Sequence, residues 1–190
     1  MRVAIDAHMV GTQETGNETY VKYLIQAMQA LEPPGVEIDV LLTSESASPL
    51  DPALPRRGFR ILQVQPAHSV GRIAWGIPSV VRREQVDVLH MTYNAPFWTQ
   101  RSAQVVMVHD MAYKLYPQYY SPRVRWVLST LVPLSARRAE RVVVPSEQTK
   151  KDIAHAYGLE EAKIIVTPEA AAPEFQVVGD PARVRATLRR

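Results

Sequence analysis

The sequence predicts an α/β fold of the Rossmann-like, doubly wound type, built on a mostly parallel sheet of about seven strands. Short runs rich in β-branched residues alternate along the chain with segments whose apolar residues recur at helical spacing. Two of these runs, 86–91 and 104–109, are almost continuously apolar, which is typical of strands buried on both faces of a parallel sheet. The composition, 46% hydrophobic and 22% charged over 190 residues, suffices for one sizeable core.

The predicted strands lie at 2–6, 36–43, 59–64, 86–91, 104–109, 141–145 and 163–167. A helix is predicted between the first two strands, because apolar residues from Val21 to Leu31 fall on one helical face. Asn17 is the predicted N-cap of this helix, and Pro33 ends it.

Prolines divide the later helical segments. The segment 71–84 has helical spacing, but Pro78 should kink or shift the helix, since proline lacks a backbone N–H. The longer segment 121–140 should be interrupted and kinked at Pro133 for the same reason. Ser146 is predicted to cap the next helix and Gly158 to end it.

The composition excludes several classes of site and of location. With no cysteine, the chain has no disulfides, cysteine-based metal sites or thiol nucleophiles. Its apolar runs are far shorter than the roughly 20 residues that span a bilayer. The N-terminus reaches Asp6 without the apolar stretch of a secretory signal, so a cytoplasmic protein is expected.

The net charge of +3 comes from the C-terminal end of the chain. The last ten residues hold four arginines, and without them 18 basic residues face 19 acidic ones. The rest of the chain therefore has no general polyphosphate-binding surface, and nucleic acid is not expected as a partner. Arginines also surround Trp126, at Arg123, Arg125, Arg137, Arg138 and Arg141. This segment is either a solvated helix face or a helix that lies on a membrane surface.

In open parallel sheets, ligands bind beyond the carboxyl ends of the strands. The loop after the first strand carries Gly11 and Gly16 and leads into a helix N-terminus, whose N–H groups suit a phosphate or a hydroxyl. The loop matches neither G-x-G-x-x-G nor the P-loop, so a flexible surface loop with a helix cap remains the alternative.

A histidine and an aspartate follow the fifth strand. His109 and Asp110 could hydrogen-bond sugar hydroxyls or serve in proton transfer near neutral pH. The alternative is a histidine bonded to backbone beside an aspartate that forms a turn. His90, which closes the fourth strand, is a weaker candidate. The five histidines lack the spacing of a zinc site, and no metal site is expected.

Three segments resemble, in order and spacing, the N-terminal half of group 1 (family four) glycosyltransferases of GT-B fold. They are ETGNETYVKYL (14–24), QVVMVHDMAYKLYPQYYS (104–121) and AERVVVPSEQTKKDIAHAYGLEEAKIIVTPEAAAPEF (139–175). The resemblance implies two Rossmann-like domains that face each other across a cleft. The N-terminal domain carries most of the acceptor site, and the C-terminal domain binds most of the nucleotide-sugar. Residues 1–168 would then form the acceptor-side domain, and 169–190 the linker and the start of a missing donor-binding domain.

The resemblance also assigns roles to residues of this sequence. His109 would contact the transferred hexose as the catalytic residue. The substrate-binding set would be Gly11, Gly16, Asn17, His90, Asn94, Asp110 and Ser146. Of these, Gly16 would come nearest the donor phosphates or the acceptor. Two departures affect this assignment: the loop has only Gly16 where many members have two glycines, and residues 169–172 read Glu-Ala-Ala-Ala in place of an Asn-Gly-Val type sequence.

The implied function is the acceptor-side part of a retaining, metal-independent hexosyltransferase that is inactive without its second domain. A nucleotide-diphosphate sugar would be the co-substrate, with no other cofactor. The implied partners are a small-molecule, glycan or lipid acceptor and the missing domain, with peripheral contact at the inner face of a membrane. The alternative is a stand-alone α/β domain that binds a ligand or a protein without catalysis.

Overall fold

The computed structural model describes residues 1–12, 15–44, 46, 58–99, 102–172, 175 and 185. Seven strands form one sheet in the order β3-β2-β1-β4-β5-β6-β7, and every pairing between neighbours is parallel. The strands are β1 (Arg2–Asp6), β2 (Glu37–Leu42), β3 (Phe59–Gln63), β4 (Val88–Thr92), β5 (Ala103–Met107), β6 (Arg141–Val144) and β7 (Ile164–Val166). The predicted Rossmann-like α/β fold is confirmed, and each predicted strand is present within two residues of its expected bounds.

The helices connect these strands on both faces of the sheet. They are α1 (Thr15–Leu31), α2 (Ser69–Gly71), α3 (Ile77–Arg83), α4 (Ala112–Leu115), α5 (Pro122–Arg138) and α6 (Glu147–Tyr157). A π-helical turn, Arg72–Gly76, joins α2 to α3, and 3₁₀ turns occur at Pro117–Tyr119 and Glu161–Lys163.

Two hydrophobic clusters, one on each face, hold the sheet between the helices. On one face, Val21 and Ile25 of α1 pack against Ile5 and Val40. On the other face, side chains of α3, α5 and α6 form a larger cluster with Leu89 and the alternate residues of its neighbouring strands. The chain crosses between faces where β1 lies beside β4, so a topological switch point occurs there.

The start of α1 differs from the prediction. The helix begins at Thr15, so Asn17 lies inside its first turn and is not the N-cap. The loop folds against this turn because the Gly11 N–H donates to Glu18 Oε1 over 2.8 Å. Gly11 has a φ of +84°, which favours glycine. Glu18, the residue after the predicted cap, therefore holds the loop against the helix.

The predicted interruption at Pro133 is wrong, and the predicted kink there stays a prediction. Helix α5 runs through Pro133 without a break. Proline removes only one backbone donor, while Val132, Ser135 and Ala136 on either side of it are buried. Ser135 Oγ also accepts a hydrogen bond from the Ala95 N–H over 3.0 Å, so tertiary contacts hold the helix on both sides of the proline.

The predictions for the other two helices are confirmed. Pro78 lies in the first turn of α3, directly after the π-helical turn, where a missing N–H costs least. Ser146 Oγ accepts from the Thr149 N–H over 3.1 Å and so caps α6. Gly158 ends α6 with a φ of +64°.

The arginine-flanked segment begins on an exposed surface. Arg123, Arg125 and Trp126 are exposed, with Trp126 at 70% of its full accessible surface. Contact with a membrane surface stays a prediction for this segment. In the part of the chain that the structure describes, no helix combines the length and the apolar character needed to cross a bilayer.

Candidate functional site

Aromatic and histidine side chains gather at the carboxyl ends of β4 and β5, beneath the first turns of α1. The Tyr20 hydroxyl of α1 lies 3.2 Å from Nε2 of His90 on β4. The Tyr20 ring also meets the His109 ring edge-on, with centroids 4.8 Å apart. His90 projects toward α1 because it is in register with Ile5, whose side chain packs against that helix. Tyr20 therefore joins the two histidines that the sequence singled out.

The His109 ring is held from several sides. It lies two residues past β5, and its Nδ1 is 2.8 Å from Oε1 of Glu169, in the segment after β7. The Tyr93 ring centroid is 5.8 Å away. His109 Nε2 is buried and has no hydrogen-bond partner among the described residues. The Nδ1 edge thus faces the half-exposed Glu169 side chain, and the Nε2 edge faces the interior.

The backbone is strained next to this ring. Tyr93, the first residue after β4, has a φ of +59°, which is uncommon for a residue with a side chain. Its N–H donates to the Met107 carbonyl over 2.8 Å and so extends the pairing with β5. Strain of this kind costs on the order of 1 kcal/mol or more and often occurs at ligand-binding sites.

Tyr20 and His90 are uncharged at neutral pH. Burial, opposed by the charge of Asp6 and aided by the nearby His109, lowers the pKa of His90 to about 4. Burial, followed by the negative charge of Glu169, raises the pKa of Tyr20 to about 12. Neutral imidazole and phenol groups suit hydrogen bonding to hydroxyls better than binding of a charged diphosphate.

A cavity of about 840 Å³ opens beside this cluster, between α1 and the segment after β7. Its lining includes Gly16, Tyr20 and Ala27 from α1 and Glu169 from the opposite wall. The volume is within the range of small-molecule sites. A Cβ added at Gly16 would meet no atom within 4 Å, so the helix start leaves open space for a ligand.

Tyr20 contacts both His90 and His109, and it lines the cavity together with Gly16. Two other predicted residues have hydroxyl or carboxylate groups engaged in local turns: Asp110 Oδ1 accepts from the Ala112 N–H over 2.9 Å, and Ser146 caps α6. These contacts match the turn-forming alternative for Asp110. Ligand contact by either residue stays a prediction.

The remaining predicted residues occupy the neighbouring loops. Gly11 bonds to Glu18, and Asn17 is half-buried in the first turn of α1. Asn94 follows β4, and its Oδ1 is buried without a partner among the described residues. An unpaired buried acceptor of this kind is uncommon and is consistent with a polar ligand nearby.

Sequence reasoning missed three residues of the cluster, Tyr20, Tyr93 and Glu169, as binding residues. Tyr20 was detectable in principle, because it lies four residues after Gly16 and so on the same helix face. Tyr93 directly follows a buried strand, which is where ligands bind in such sheets. Glu169 gave no such signal, because its contact with His109 joins residues 60 positions apart.

The model of Glycosyltransferase Family 4 matches residues 15–175, which is most of the chain. The chain belongs to glycosyltransferase family 4. The resemblance predicted from the sequence is thus confirmed. None of the curated proteins compared matches the family-4 chain.

Two solved structures are similar to this family-4 chain. UDP-GlcNAc 2-epimerase from Methanocaldococcus jannaschii matches with a TM-score of 0.50 and 15% identity, over 87% of this chain and 45% of that one. This likeness shows the fold. A glycosyltransferase from Rickettsia africae ESF-5 has a TM-score of 0.47 and 16% identity, over 99% of this chain and 48% of the other. The family-4 chain spans less than half the length of either protein.

Within the residues that the structure describes, no three histidine, aspartate or glutamate side chains are grouped so as to hold a metal ion.

Proposed function

We propose that this chain forms the acceptor-side wall of a glycosyltransferase that moves a hexose from a nucleotide-sugar to an acceptor hydroxyl. One observation carries the proposal: His109 is fixed beyond the carboxyl end of β5 with its Nδ1 edge toward Glu169, which lines the 840 Å³ cavity. Membership of family 4 supports transferase chemistry, and the position of the histidine supports contact with the transferred sugar.

In this proposal His109 hydrogen-bonds a hydroxyl of the hexose through Nδ1. Tyr20 and Tyr93 contact the ring and limit its rotation, so the hydrogen bond needs little reorganisation when the sugar binds. Glu169 holds the same nitrogen in the absence of substrate. On binding, the sugar hydroxyl replaces the carboxylate or joins it.

A second domain would hold the diphosphate of the donor. Tyr20 and His90 of the cluster are neutral, and the carboxylate of Glu169 repels a diphosphate. This charge pattern supports a division in which the hexose and acceptor lie against this chain. The leaving diphosphate would be stabilised by charged donors elsewhere.

We further propose that the transfer retains the anomeric configuration and needs no metal ion or other cofactor. No general base is assigned to this chain, because in a same-face reaction the leaving phosphate can accept the acceptor's proton. We place this reaction in the cytoplasm, where nucleotide-sugars are the donors.

The test is a transfer assay with the full-length enzyme and UDP-, GDP- and ADP-hexoses. Product anomers are identified by NMR, and the assay is repeated with a chelator. The proposal expects one donor class to support transfer with retained configuration, unaffected by the chelator. Inversion of the anomeric configuration would overturn the retaining mechanism. Loss of activity with the chelator that added metal restores would overturn the independence from metal. Specific acceptor binding without transfer from any donor would favour a binding module instead.

A further inference from the structure

Three polar side chains meet at the carboxyl end of β1, outside the cluster around His109. The Arg72 Nη1 donates to Asp6 Oδ2 over 2.6 Å. His8 Nδ1 lies 3.0 Å from the same oxygen and 2.7 Å from Arg72 Nη1. Asp6 and Arg72 are buried, whereas 26% of the His8 side chain is exposed. We call these three residues the β1 triad.

The backbone on both sides of the triad is fixed. Arg72 begins the π-helical turn, and the glycines at positions 71 and 76 let this turn pack closely. A Cβ at Gly76 would lie 2.7 Å from the Gln65 carbonyl oxygen, and one at Gly71 would lie 2.3 Å from the Pro66 ring. On the other side, Ser46 Oγ donates to the His8 carbonyl over 2.9 Å. The imidazole is therefore held at a defined place.

The buried charges of the triad compensate each other. Burial raises the pKa of Asp6, but hydrogen bonds from His8 and the charge of Arg72 outweigh it and lower the pKa overall. Asp6 is thus ionised at neutral pH and paired with the arginine. Such a pair presents no net charge to a ligand and contributes little net stability by itself. An anion has no excess positive charge to bind here.

The histidine has one ring nitrogen left for a ligand. Its Nδ1 donates to Asp6 in one tautomer and accepts from Arg72 in the other, while its Nε2 has no hydrogen-bond partner in the part of the chain that the structure describes. A carboxylate that fixes one nitrogen of a histidine and leaves the other for a ligand is a common arrangement in binding and catalytic sites.

His8 and His109 follow strands that lie two positions apart in the sheet, because β4 lies between β1 and β5. The order β1-β4-β5 places their strands about 10 Å apart, at about 4.8 Å per spacing. Both follow the carboxyl end of their strand. The two histidines are thus far enough apart to contact different sugar units on one edge of the sheet.

We propose that His8, held by Asp6 and Arg72, binds a hydroxyl of the acceptor through Nε2. The ligand class is an uncharged, polyhydroxylated group such as a sugar ring. The inference rests on the proposed transferase function, because it makes His8 an acceptor residue while His109 contacts the transferred hexose. His8 is a binding residue here, with Asp6 and Arg72 as its positioning residues.

Two variants of His8 separate its two nitrogens. His8→Asn places an amide near the position of Nδ1 and so keeps the contact with Asp6 and Arg72, but removes Nε2. His8→Gln extends an amide toward the position of Nε2. In the full-length enzyme, His8→Asn should raise the acceptor KM roughly tenfold, while the donor KM and the melting temperature stay unchanged. His8→Gln should recover part of the loss. The control is His155→Asn, on the distant helix α6.

A binding measurement on the 190-residue chain tests the same inference without transfer. The probes are methyl glucoside, methyl mannoside and methyl galactoside, monitored by saturation-transfer NMR and by the ring signals of His8. We expect at least one glycoside to bind, to shift the His8 signals, and to bind less to His8→Asn than to His155→Asn. Binding that His8→Asn leaves unchanged, or no binding of any glycoside to the folded chain, would overturn the inference.

The two proposals fail in different ways. Glycoside binding at His8 in a full-length enzyme that transfers no sugar would overturn the transferase and leave His8 as a sugar-binding residue. Transfer with an acceptor KM that His8→Asn leaves unchanged would overturn the role of His8 and leave the transferase standing.

Discussion

His109 connects three elements of the fold through one ring, because it packs against Tyr20 and Tyr93 and bonds to Glu169. Among the described residues, Nδ1 of this ring is hydrogen-bonded, whereas Nε2 is buried and has no partner. In the full-length enzyme, His109→Ala should lower kcat by about 10²-fold, the scale of a lost transition-state hydrogen bond.

The same variant should change stability little, since an unsatisfied buried nitrogen is removed together with the ring contacts. The measurement pairs steady-state kinetics with thermal unfolding, and His155→Ala, on α6, is the matched control. Unchanged turnover with a clearly lower melting temperature would instead make His109 a structural histidine.

His90 gives the chain a pH-dependent stability. Its pKa is about 4 in the folded state, against an ordinary value of 6.5. Below pH 6.5 the unfolded chain takes up a proton that the folded chain does not, so the free energy of unfolding falls as the pH drops toward 4. The loss approaches about 3 kcal/mol, at 1.36 kcal/mol for each pKa unit. His90→Gln should remove this slope in urea titrations between pH 4 and 7.

Tyr20→Phe is the control for this effect. It deletes the hydroxyl that bonds to His90 but keeps the burial, which is the main cause of the shift. Its slope should therefore resemble that of the unmodified chain. An equal slope in His90→Gln would contradict the prediction. Below pH 4, the lowered pKa of Asp6 adds a second loss of stability, because the unfolded chain protonates this carboxylate at a higher pH than the folded chain does.

Single residues were predicted unevenly from the sequence. His109 and His90 stood out because titratable groups at strand ends are uncommon in apolar surroundings, and the structure places both beside Tyr20. Glu169 and Arg72 did not stand out, because their partners lie 60 and 66 positions away in the sequence. Pairings over such distances follow from the fold and not from local spacing.

At the scale of elements, the first turn of α1 contains a glycine, Gly16. Gly16 is helical and exposed, and a Cβ there meets nothing within 4 Å. Gly16→Ala should leave the free energy of unfolding unchanged or raise it by up to about 1 kcal/mol, because alanine favours helix. If a substrate approaches this backbone, the same methyl group should lower kcat/KM.

Kinetics and urea unfolding of Gly16→Ala are compared with those of Gly158→Ala. Gly158 has a φ of +64° at the end of α6, so alanine there should destabilise the chain without affecting turnover. Wild-type kcat/KM in Gly16→Ala would show that no substrate approaches the start of α1.

Helices were harder to predict than strands wherever tertiary contacts competed with local rules. The strand runs were found within two residues, since continuous apolar runs have few alternatives in an α/β sequence. Pro133 was predicted to break α5, but burial of Val132 and Ala136 holds the helix together. The π-helical turn at Arg72–Gly76 has no sequence signature, and its position depends on packing against Gln65 and Pro66.

At the scale of the whole molecule, the cavity lining that the structure describes holds tyrosine, threonine and glutamate side chains but no lysine or arginine. The 190 residues alone should fold and yet show no transfer activity. Nucleotide-sugars should bind them weakly. A site with a millimolar Kd, probed at about 1 mM ligand, stabilises by roughly 0.4 kcal/mol, which gives a thermal shift near the detection limit.

Differential scanning fluorimetry with UDP-, GDP- and ADP-hexoses measures this shift. A site a hundredfold tighter would contribute about 2.7 kcal/mol and shift the melting temperature by several degrees. A shift of that size with any donor would place the donor site on this chain and contradict the proposed division between two domains.

The order of strands in the sheet has a consequence for synthesis of the chain. Of the seven described strands β1 is made first, pairs with β2 soon afterwards, and receives its other neighbour, β4, only when residues 88–92 have been made. Until then the side of β1 that faces away from β2 is unpaired, and neither His90 nor His109 has been made to contact Tyr20. A nascent chain paused before β4 would therefore expose an apolar strand edge to other chains. Among the described elements the candidate site forms late, because it joins α1 to the segment after β7.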